Sequence, residues 1–261
     1  MSKISSLAYI DPEAVIGENC EIGPFCFIDK NVTLGENNVL MNSVTVLSGA
    51  RIGKGNSIFP GAVISAIPQD LKFQGEETTA EIGDYNRIRE NVTINRGTAA
   101  KGKTVVGNNN LLMEAVHVAH DAFVGNNCII GNTTKIAGEV TVDDFAIISA
   151  CVLIHQFCHI GGYIMLGGGT RTAQDVPPYT MIAREPAAFC GLNLVGLRRH
   201  GFSTHQIDTI HESYRVLYDK AMVMADRISL LEKSYPDSPE VKYIVEFVKR
   251  SISPKGRGIL Y

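Results

Sequence analysis

An aliphatic residue recurs at every sixth position of this sequence, and this constrains the fold more than any other feature. Counted in steps of six from Ile4 to Leu166, 25 of 28 positions are Ile, Leu or Val, where ordinary composition would fill about one in four. Helices repeat every 3.6 residues and ordinary strands every two, so neither produces this pattern. A hexapeptide repeat is the signature of a parallel β-helix, in which three hexapeptides complete one triangular coil.

The residues beside each aliphatic position agree with this interpretation. The following residue is often glycine, which we expect where a Cβ would obstruct a tight corner. A small residue lies two positions before the aliphatic, and we expect it to face inward as well. Four of the six cysteines occupy this second inward position and are therefore predicted to be small core residues rather than reactive thiols. They are Cys20, Cys26, Cys128 and Cys158.

Two interruptions of the repeat keep its register and are predicted to be loops that leave the coil and return to it. The first lies near residues 66–80 and the second near residues 97–105. Later the repeat fades, where paired prolines end strand pairing. We therefore expect a mainly β protein, with a β-helix domain over residues 1–190 and a C-terminal α-helical domain over residues 191–261.

The C-terminal domain shows helical spacing and helix-capping signals. Ser203 precedes Gln206 by three residues, the arrangement of a capping box at a helix start. A second helix is predicted over about 222–232. A third begins after Ser238, with Pro239 in its first turn.

Composition argues against several classes of protein. The formal net charge of −3 gives no basic excess, so no nucleic-acid partner is expected. No apolar run has the length of a signal peptide or a membrane span, and we expect a cytoplasmic protein without an integral membrane segment. The cysteines form no C-x-x-C pair, which disfavours a structural zinc site.

A histidine pair followed by an aspartate stands out in the segment 115–125. On coils of three hexapeptides, His120 stacks against Gly138, which leaves space beside the imidazole. Asp121 can orient His120, as in the histidine–carboxylate pair of a general base. Spacing alone equally allows His117 and His120 to be polar corner residues without a catalytic role.

A metal site is a further possibility for this pair, because some trimeric hexapeptide helices hold zinc with three histidines. Such a cage needs a histidine one coil away from the pair. The positions three hexapeptides before the pair hold Ala99 and Gly102, and those three hexapeptides after it hold Lys135 and Gly138. We therefore predict no metal, and the sequence implies no cofactor.

Six motifs carry a resemblance that covers nearly the whole chain: IPQDLKF, IRENVTINRGT, NNNLLMEAVHVAHDAFVGNN, LIHQFCHIGG, AQDVPPY and GLRRHGFS. With them the chain resembles the UDP-N-acetylglucosamine O-acyltransferases of lipid A biosynthesis, a family of the hexapeptide-repeat acyltransferase superfamily. The resemblance implies a left-handed β-helix and a homotrimer with clefts between neighbouring subunits. It also implies transfer of an (R)-3-hydroxyacyl chain from acyl carrier protein to the glucosamine 3-position of UDP-N-acetylglucosamine, the first step of lipid A and hence lipopolysaccharide synthesis.

The resemblance also implies roles for individual residues. His120 would be the general base, Asp121 its polarising partner, and the backbone N–H of Gly138 a donor to the oxyanion. Gly168 matches the position that acts as a ruler for acyl-chain length. Substrate contacts are implied for Gln69, Asp70, Lys72, His117, His155, Gln156, Asn193 and Arg199.

The chain departs from well-known family members at four positions. Those members have histidine at the positions of Asn95 and Glu139, an acidic residue at Val195 and arginine at His200. The changes at Asn95 and Glu139 leave the 3-amino analogue of the sugar nucleotide as an alternative acceptor of the acyl chain. The later acylation of a monoacylated UDP-glucosamine is disfavoured, because that family has an extra N-terminal domain and the repeat here is in register from Ile4. A β-helix that only binds a partner is the non-enzymatic alternative.

Overall fold

In a computed structural model of the protein, residues 2–261 are described as a stack of short strands followed by four helices. The strands of the first half are β1 (Lys3–Ile4), β2 (Tyr9–Ile10), β3 (Val15–Ile16), β4 (Glu21–Ile22), β5 (Phe27–Ile28), β6 (Thr33–Leu34), β7 (Val39–Leu40), β8 (Thr45–Val46), β9 (Ala50–Ile52), β10 (Ser57–Ile58), β11 (Val63–Ala66), β12 (Thr79–Ile82), β13 (Arg87–Ile88) and β14 (Thr93–Asn95). Those of the second half are β15 (Lys103–Val106), β16 (Leu111–Leu112), β17 (His117–Val118), β18 (Phe123–Val124), β19 (Ile129–Ile130), β20 (Lys135–Ile136), β21 (Thr141–Val142), β22 (Ile147–Ile148), β23 (Leu153–Ile154), β24 (His159–Ile160), β25 (Met165–Leu166), β26 (Arg171–Thr172), β27 (Thr180–Ala183) and β28 (Ala188–Leu192).

The strands form three long sheets, which are the three faces of a prism. Sheet A runs β1-β4-β7-β10-β13-β16-β19-β22-β25-β27-β28, sheet B runs β2-β5-β8-β11-β14-β17-β20-β23-β26, and sheet C runs β3-β6-β9-β12-β15-β18-β21-β24. The strands pair in parallel within each sheet, except that β27 and β28 are antiparallel. This is the predicted parallel β-helix, because each coil of the chain adds one strand to every face.

The interior of the prism is a stack of the aliphatic residues that define the repeat. Ile130, Ile136 and Val142 come from one coil, one from each face, and all three are fully buried. The four inward cysteines are buried too, which confirms the prediction that they serve as core residues. Burial raises the pKa of Cys128 and of Cys158 to about 12, so both stay protonated thiols at neutral pH.

The glycines after the aliphatic residues lie where a Cβ would be obstructed, as the sequence predicts. A Cβ on Gly17 would lie 2.5 Å from the backbone carbon of Gly35 in the next coil. Such glycines therefore permit close approach between coils. The left-handed backbone of most corners falls two residues later, as at Asn19 and Asn31 with φ of 56° and 54°, where asparagine is tolerated better than most residues.

The two insertions lengthen individual coils by whole hexapeptides. Most strand partners are three hexapeptides apart, but Ile52 pairs with Ile82, five hexapeptides on, so the first insertion adds two of them. Ile82 pairs with Val106, four hexapeptides on, so the second insertion adds one. The neighbour of His117 in the preceding coil is consequently Thr93.

This register corrects the sequence-based placement of the residues below the histidine pair. Ala99 and Gly102 were expected there, but both belong to the second insertion, outside strands β14 and β15. By the same register Arg96 lies one coil before His120. The prediction was wrong because a fixed step of three hexapeptides does not hold across an insertion.

A ladder of buried asparagines stabilises one corner of the prism. Asn38 Oδ1 accepts hydrogen bonds from the backbone N–H and the side-chain amide of Asn56, at 2.8 and 3.0 Å. Asn56 in turn accepts from both groups of Asn86, and Asn86 Oδ1 accepts from the N–H of Asn110. Because all four residues are buried, each amide satisfies backbone groups that water does not reach.

Four helices follow the prism: α1 (Leu194–Arg199), α2 (Thr204–Leu217), α3 (Met224–Ser234) and α4 (Pro239–Ser251). The predicted capping box of Ser203 and Gln206 is present, and Ser238 caps α4. Helix α3 begins and ends two residues later than predicted. Strand β28 continues to Leu192, so the expected domain boundary at residue 190 falls inside a strand. No helix among residues 2–261 combines the length and apolar character that crossing a membrane requires.

Helix α4 is fixed to the prism through a buried polar cluster. The Tyr243 hydroxyl donates to the Asp143 carboxylate and accepts a hydrogen bond of 2.7 Å from the Gly162 N–H. His159 Nε2 lies 2.8 Å from the same carboxylate. Burial and the nearby Asp143 raise the pKa of Tyr243, so the phenol keeps its proton and remains a donor.

The asparagine ladder generates a prediction about stability. Asn56→Ala removes the acceptor of Asn86 and a donor to Asn38 inside a buried corner. We expect the free energy of unfolding to fall by about 1–3 kcal/mol, the usual cost of an unsatisfied buried polar group. Calorimetric unfolding at fixed protein concentration measures it.

The matched control is Asn108→Ala, in an exposed asparagine that makes the same type of contact with the N–H of Asp84 and with Asn126. Water can replace its amide, so the loss should be clearly smaller. Equal losses for Asn56→Ala and Asn108→Ala would contradict a special contribution from the buried ladder.

Candidate active site

Sheet B carries a cleft of about 660 Å³ that spans several coils. The outward residues of neighbouring strands form its floor, and the first insertion and the loop between β27 and β28 contribute at its edges. The cleft brings together five residues singled out from the sequence, namely Gln69, His117, His120, Gly138 and His155.

His120 and Asp121 form the predicted histidine–carboxylate pair. His120 Nδ1 lies 2.8 Å from Asp121 Oδ2. A carboxylate only accepts hydrogen bonds, so Nδ1 carries the proton and Nε2 of the neutral imidazole is left with its lone pair. The Asp121 side chain is fully buried, whereas the His120 side chain retains 20% of its exposure. The pair can therefore accept a proton from a group in the cleft.

The second insertion holds Asp121 in place. Asp121 Oδ1 accepts from the N–H groups of Thr98 and Lys101 at 3.0 and 3.2 Å, and Oδ2 accepts from the Thr98 hydroxyl at 2.6 Å. Burial alone would raise the pKa of Asp121, but the hydrogen bonds from Thr98 and His120 outweigh it and hold the pKa below its ordinary value. The carboxylate is thus charged and oriented by a loop whose hydrogen bonds converge on it.

Gly138 leaves the space next to His120 that its position in the repeat predicts. A Cβ on residue 138 would lie 2.7 Å from both Cε1 and Nε2 of His120. Among residues 2–261, the Gly138 N–H donates to no backbone carbonyl. The glycine therefore lets its backbone pass close to the imidazole, and its own N–H is left without a backbone acceptor in the described part of the chain.

His117 lies in the same cleft but in a different electrostatic environment. It is hydrogen-bonded through Nδ1 to the Thr93 hydroxyl at 2.7 Å. Burial lowers the pKa of His117 below 6.5, and the nearby Lys135 and His120 lower it further. His117 is consequently neutral at pH 7, which suits a hydrogen-bonding contact with a ligand.

A row of small residues forms the floor of the cleft. The register of β14, β17, β20 and β23 stacks Asn95, Ala119, Ala137 and His155 in successive coils. At a coil spacing of about 4.8 Å, the row extends about 14 Å from Asn95 to His155. The two alanines between these polar ends leave an elongated slot beside His120.

Three charged residues at the cleft were not predicted to be site residues: Lys135, Arg171 and Glu185. Lys135 and Arg171 occupy the same outward column as His117 on sheet B. The repeat places Lys135 one coil after His117, and two further steps of three hexapeptides lead to Arg171. Glu185 comes from the loop between β27 and β28, which follows no repeat, so no periodic signal indicated it.

Six of the residues predicted to bind substrate or to limit acyl-chain length do not line the cleft that a single chain forms. Asp70 caps its own loop by accepting from the Lys72 N–H at 2.9 Å, and both belong to the first insertion. Gln156 is exposed one coil beyond Gly138. Gly168 lies at the corner between sheets A and B, whereas His120 lies at the corner between sheets B and C.

The remaining two predicted contacts belong to helix α1. Asn193 caps the helix by accepting from the Gly196 N–H, and its amide donates to the Tyr163 carbonyl at 2.9 Å. Arg199 is exposed in the last turn of the helix. In one chain, therefore, Asn193 has a structural contact and Arg199 does not line the cleft.

The positions that depart from the family pattern are scattered over the structure. Asn95 lines the cleft, and the Glu139 N–H donates to the His120 carbonyl at 3.1 Å. Val195 is exposed on α1, and His200 packs edge-on against Phe145 with ring centroids 4.9 Å apart. Only the first two changes are therefore close to the histidine pair.

Comparison with known proteins identifies the family. Residues 175–260 match the family model described as UDP N-acetylglucosamine O-acyltransferase, domain 2. The crystal structure of LpxA, a UDP-N-acetylglucosamine acyltransferase from Bacteroides fragilis, is 61% identical, covers 99% of this chain and 100% of its own, and has a TM-score of 0.95. The chain belongs to the UDP-N-acetylglucosamine acyltransferase family.

Two further members of this acyltransferase family support the assignment over the full chain. The Francisella novicida enzyme is 39% identical over 98% of this chain and 93% of its own, with a TM-score of 0.94. LpxA from Acinetobacter baumannii is 38% identical over 99% of both chains, with a TM-score of 0.95. The coil is therefore the left-handed β-helix that the resemblance implied.

The environment of His117 generates a prediction about its titration. Because the pKa of His117 is lowered in the folded protein, its NMR titration midpoint should lie below 6.5. Its contribution to stability is accordingly present above the unfolded-state pKa and lost as the pH falls through the folded-state pKa. Lys135→Ala should raise the midpoint, since it removes a positive charge, while the distant Lys220→Ala should leave it unchanged. A midpoint that falls in Lys135→Ala would contradict this account.

Proposed function

We propose that this chain transfers a 3-hydroxyacyl chain from acyl carrier protein to the 3-hydroxyl of UDP-N-acetylglucosamine, with His120 as general base. The observation that carries the proposal is the hydrogen-bonded His120–Asp121 pair next to Gly138 in a cleft. Family membership supports the sugar nucleotide as acceptor, because the similar proteins are UDP-N-acetylglucosamine acyltransferases. The reaction is then the first acylation of lipid A synthesis.

The proposed reaction moves one proton and exchanges one bond at the acyl carbon. His120 Nε2 takes the proton of the sugar hydroxyl as its oxygen attacks the thioester carbonyl carbon. The carbonyl oxygen gains the electron pair, and the Gly138 N–H stabilises the resulting oxyanion. The carbon–sulfur bond then breaks, the carbonyl re-forms, and the protonated His120 returns its proton to the leaving thiolate. Asp121 stabilises the imidazolium without taking its proton.

We infer that the working form is a cytoplasmic homotrimer and that a second copy completes the cleft. Asp70, Lys72, Gln156, Asn193 and Arg199 are substrate contacts in this proposal, although none of them lines the cleft of a single chain. A cleft between subunits accounts for this, because residues of one copy can reach a substrate held by another. Gly168 would limit acyl-chain length in the same way, from the neighbouring copy.

A second acceptor is favoured by one particular residue. Asn95 lines the cleft and has a buried amide oxygen without a hydrogen-bond donor among residues 2–261, at a position where the family resemblance has histidine. An amide oxygen accepts hydrogen bonds, and an amine offers one more N–H than a hydroxyl offers O–H. The 3-amino analogue of UDP-N-acetylglucosamine is therefore the alternative acceptor for the same chemistry.

The role of His120 predicts the effect of its removal. His120→Ala should lower kcat by about 10²–10⁴, because general base catalysis is worth that much. His211→Ala, in an exposed histidine of α2, is the matched control and should retain full activity. The assay follows acyl transfer from 3-hydroxyacyl carrier protein to UDP-N-acetylglucosamine, with the oligomeric state checked by sedimentation. Full turnover by His120→Ala would rule out its role as the base.

The contact between Gly138 and His120 predicts a separate effect. In Gly138→Ala the new methyl group meets the imidazole ring at 2.7 Å, so the ring must move. A displacement of about 1 Å can cost about 10²-fold in rate. We expect kcat to fall by that order, with affinity for UDP retained, as measured by steady-state kinetics and calorimetric titration. Unchanged kcat would show that the glycine is not needed beside the base.

A further inference from the structure

The side-chain amide of Asn95 has one fixed orientation. Its Nδ2 lies 3.1 Å from the Ile67 carbonyl and 3.5 Å from the Ala66 carbonyl, at the start of the first insertion. Carbonyl oxygens only accept hydrogen bonds, so the NH₂ group must face them. Flipping the amide would set two oxygens against each other, and Oδ1 therefore occupies the remaining side.

The Asn95 oxygen is an unsatisfied acceptor at the cleft. Asn95 retains only 2% of its exposure, and Oδ1 has no hydrogen-bond donor within residues 2–261. A buried polar atom without a partner is uncommon and costs about 1–3 kcal/mol. Because Asn95 also lines the cleft, a donor on a bound ligand is the natural partner of this oxygen.

The register places Asn95 close to the proposed base. Thr93 and Ile94 pair with His117 and Val118, so Asn95 occupies the position of Ala119 in the preceding coil. Ala119 is the residue before His120. One coil spacing is about 4.8 Å. Asn95 is therefore about one coil spacing from the residue that precedes the proposed base.

The chemistry of the sugar that receives the acyl chain limits which of its groups can donate a hydrogen bond to Asn95. A sugar hydroxyl that gives its only proton to His120 has none left for Asn95. The adjacent ring carbon of UDP-N-acetylglucosamine carries an acetamido N–H, which is a donor next to the reacting position. A 3-amino acceptor instead has a second N–H on the reacting nitrogen itself.

We propose that Asn95 is a specificity residue whose Oδ1 accepts a hydrogen bond from an N–H of the sugar ring, at or next to the reacting position. The inference rests on the proposed function, because it takes the sugar nucleotide as the ligand. It adds the requirement for an N–H donor. A sugar nucleotide without that N–H leaves a buried oxygen unpaired and is rejected.

The experiment compares three sugar nucleotides by calorimetric titration and steady-state kinetics. The first is UDP-N-acetylglucosamine, the second has an ester oxygen in place of its acetamido N–H, and the third is the 3-amino analogue. In the wild type, the ester should bind about tenfold or more weakly than the amide. In Asn95→Ala this ratio should shrink to less than about twofold.

The controls separate specificity from a general loosening of the first insertion. Thr78→Val removes another hydrogen bond of that insertion, the 2.6 Å contact from the Thr78 hydroxyl to the Gly97 carbonyl, without adding or removing an acceptor in the cleft. It should keep the wild-type ratio. UDP alone lacks the sugar, so its Kd should be the same in the wild type and in Asn95→Ala.

The outcomes distinguish the two sources of the N–H. If the ratio of the Kd values of the ester analogue and UDP-N-acetylglucosamine shrinks in Asn95→Ala, the acetamido N–H is the group that Asn95 binds. A selective loss of kcat/KM of about tenfold for the 3-amino analogue in Asn95→Ala identifies the second N–H of an amine. Equal weakening of all three ligands in Asn95→Ala, or the same change of ratio in Thr78→Val, would overturn the proposal. Absence of wild-type turnover would instead reject the proposed function, because the binding ratios do not depend on acyl transfer.

Discussion

The structure depends on parallel backbone pairing between successive coils, with one aliphatic side chain per strand filling the interior. Ile130, Ile136 and Val142 close one coil from three sides, and the same arrangement repeats along the prism. Because the spacing between coils is fixed by hydrogen-bond geometry, outward side chains are placed on a regular grid. The stack of His117 on Thr93 and the facing of His120 and Gly138 both follow from that grid.

The two insertions bury and orient side chains that the regular coils would leave exposed. Outward residues on a regular prism leave side chains such as Asp121 exposed to water and free to rotate. The second insertion covers Asp121, and Thr98 and Lys101 give its carboxylate three hydrogen bonds. The Ile67 carbonyl of the first insertion accepts a hydrogen bond from the Asn95 amide and so fixes the orientation of that amide. The repeat thus provides position, and the loops provide orientation and burial.

Most of the fold could be predicted from the sequence, since a six-residue period indicates a parallel β-helix and most strands end at the aliphatic residue of the repeat. His120, Asp121 and Gly138 were predictable for the same reason, because they lie on regular coils beyond the insertions. The residues below the pair were predicted wrongly, as Ala99 and Gly102, because the length of an insertion does not show where its coil resumes pairing. Glu185 was missed because its loop follows no repeat. The hydrogen bonds of Thr98 to Asp121 depend on loop conformation, which no periodic pattern encodes.

Both insertions add whole hexapeptides, so the inward and outward positions of the repeat keep the same phase before and after each loop. A loop that grows or shrinks by one hexapeptide returns the chain to the same kind of position, so every later side chain keeps its face. In this chain the first loop adds two hexapeptides and the second adds one, so a single six-residue count from Ile4 gives the inward positions on both sides of the insertions. The wall that carries His120 is therefore in phase with the coils that precede both loops.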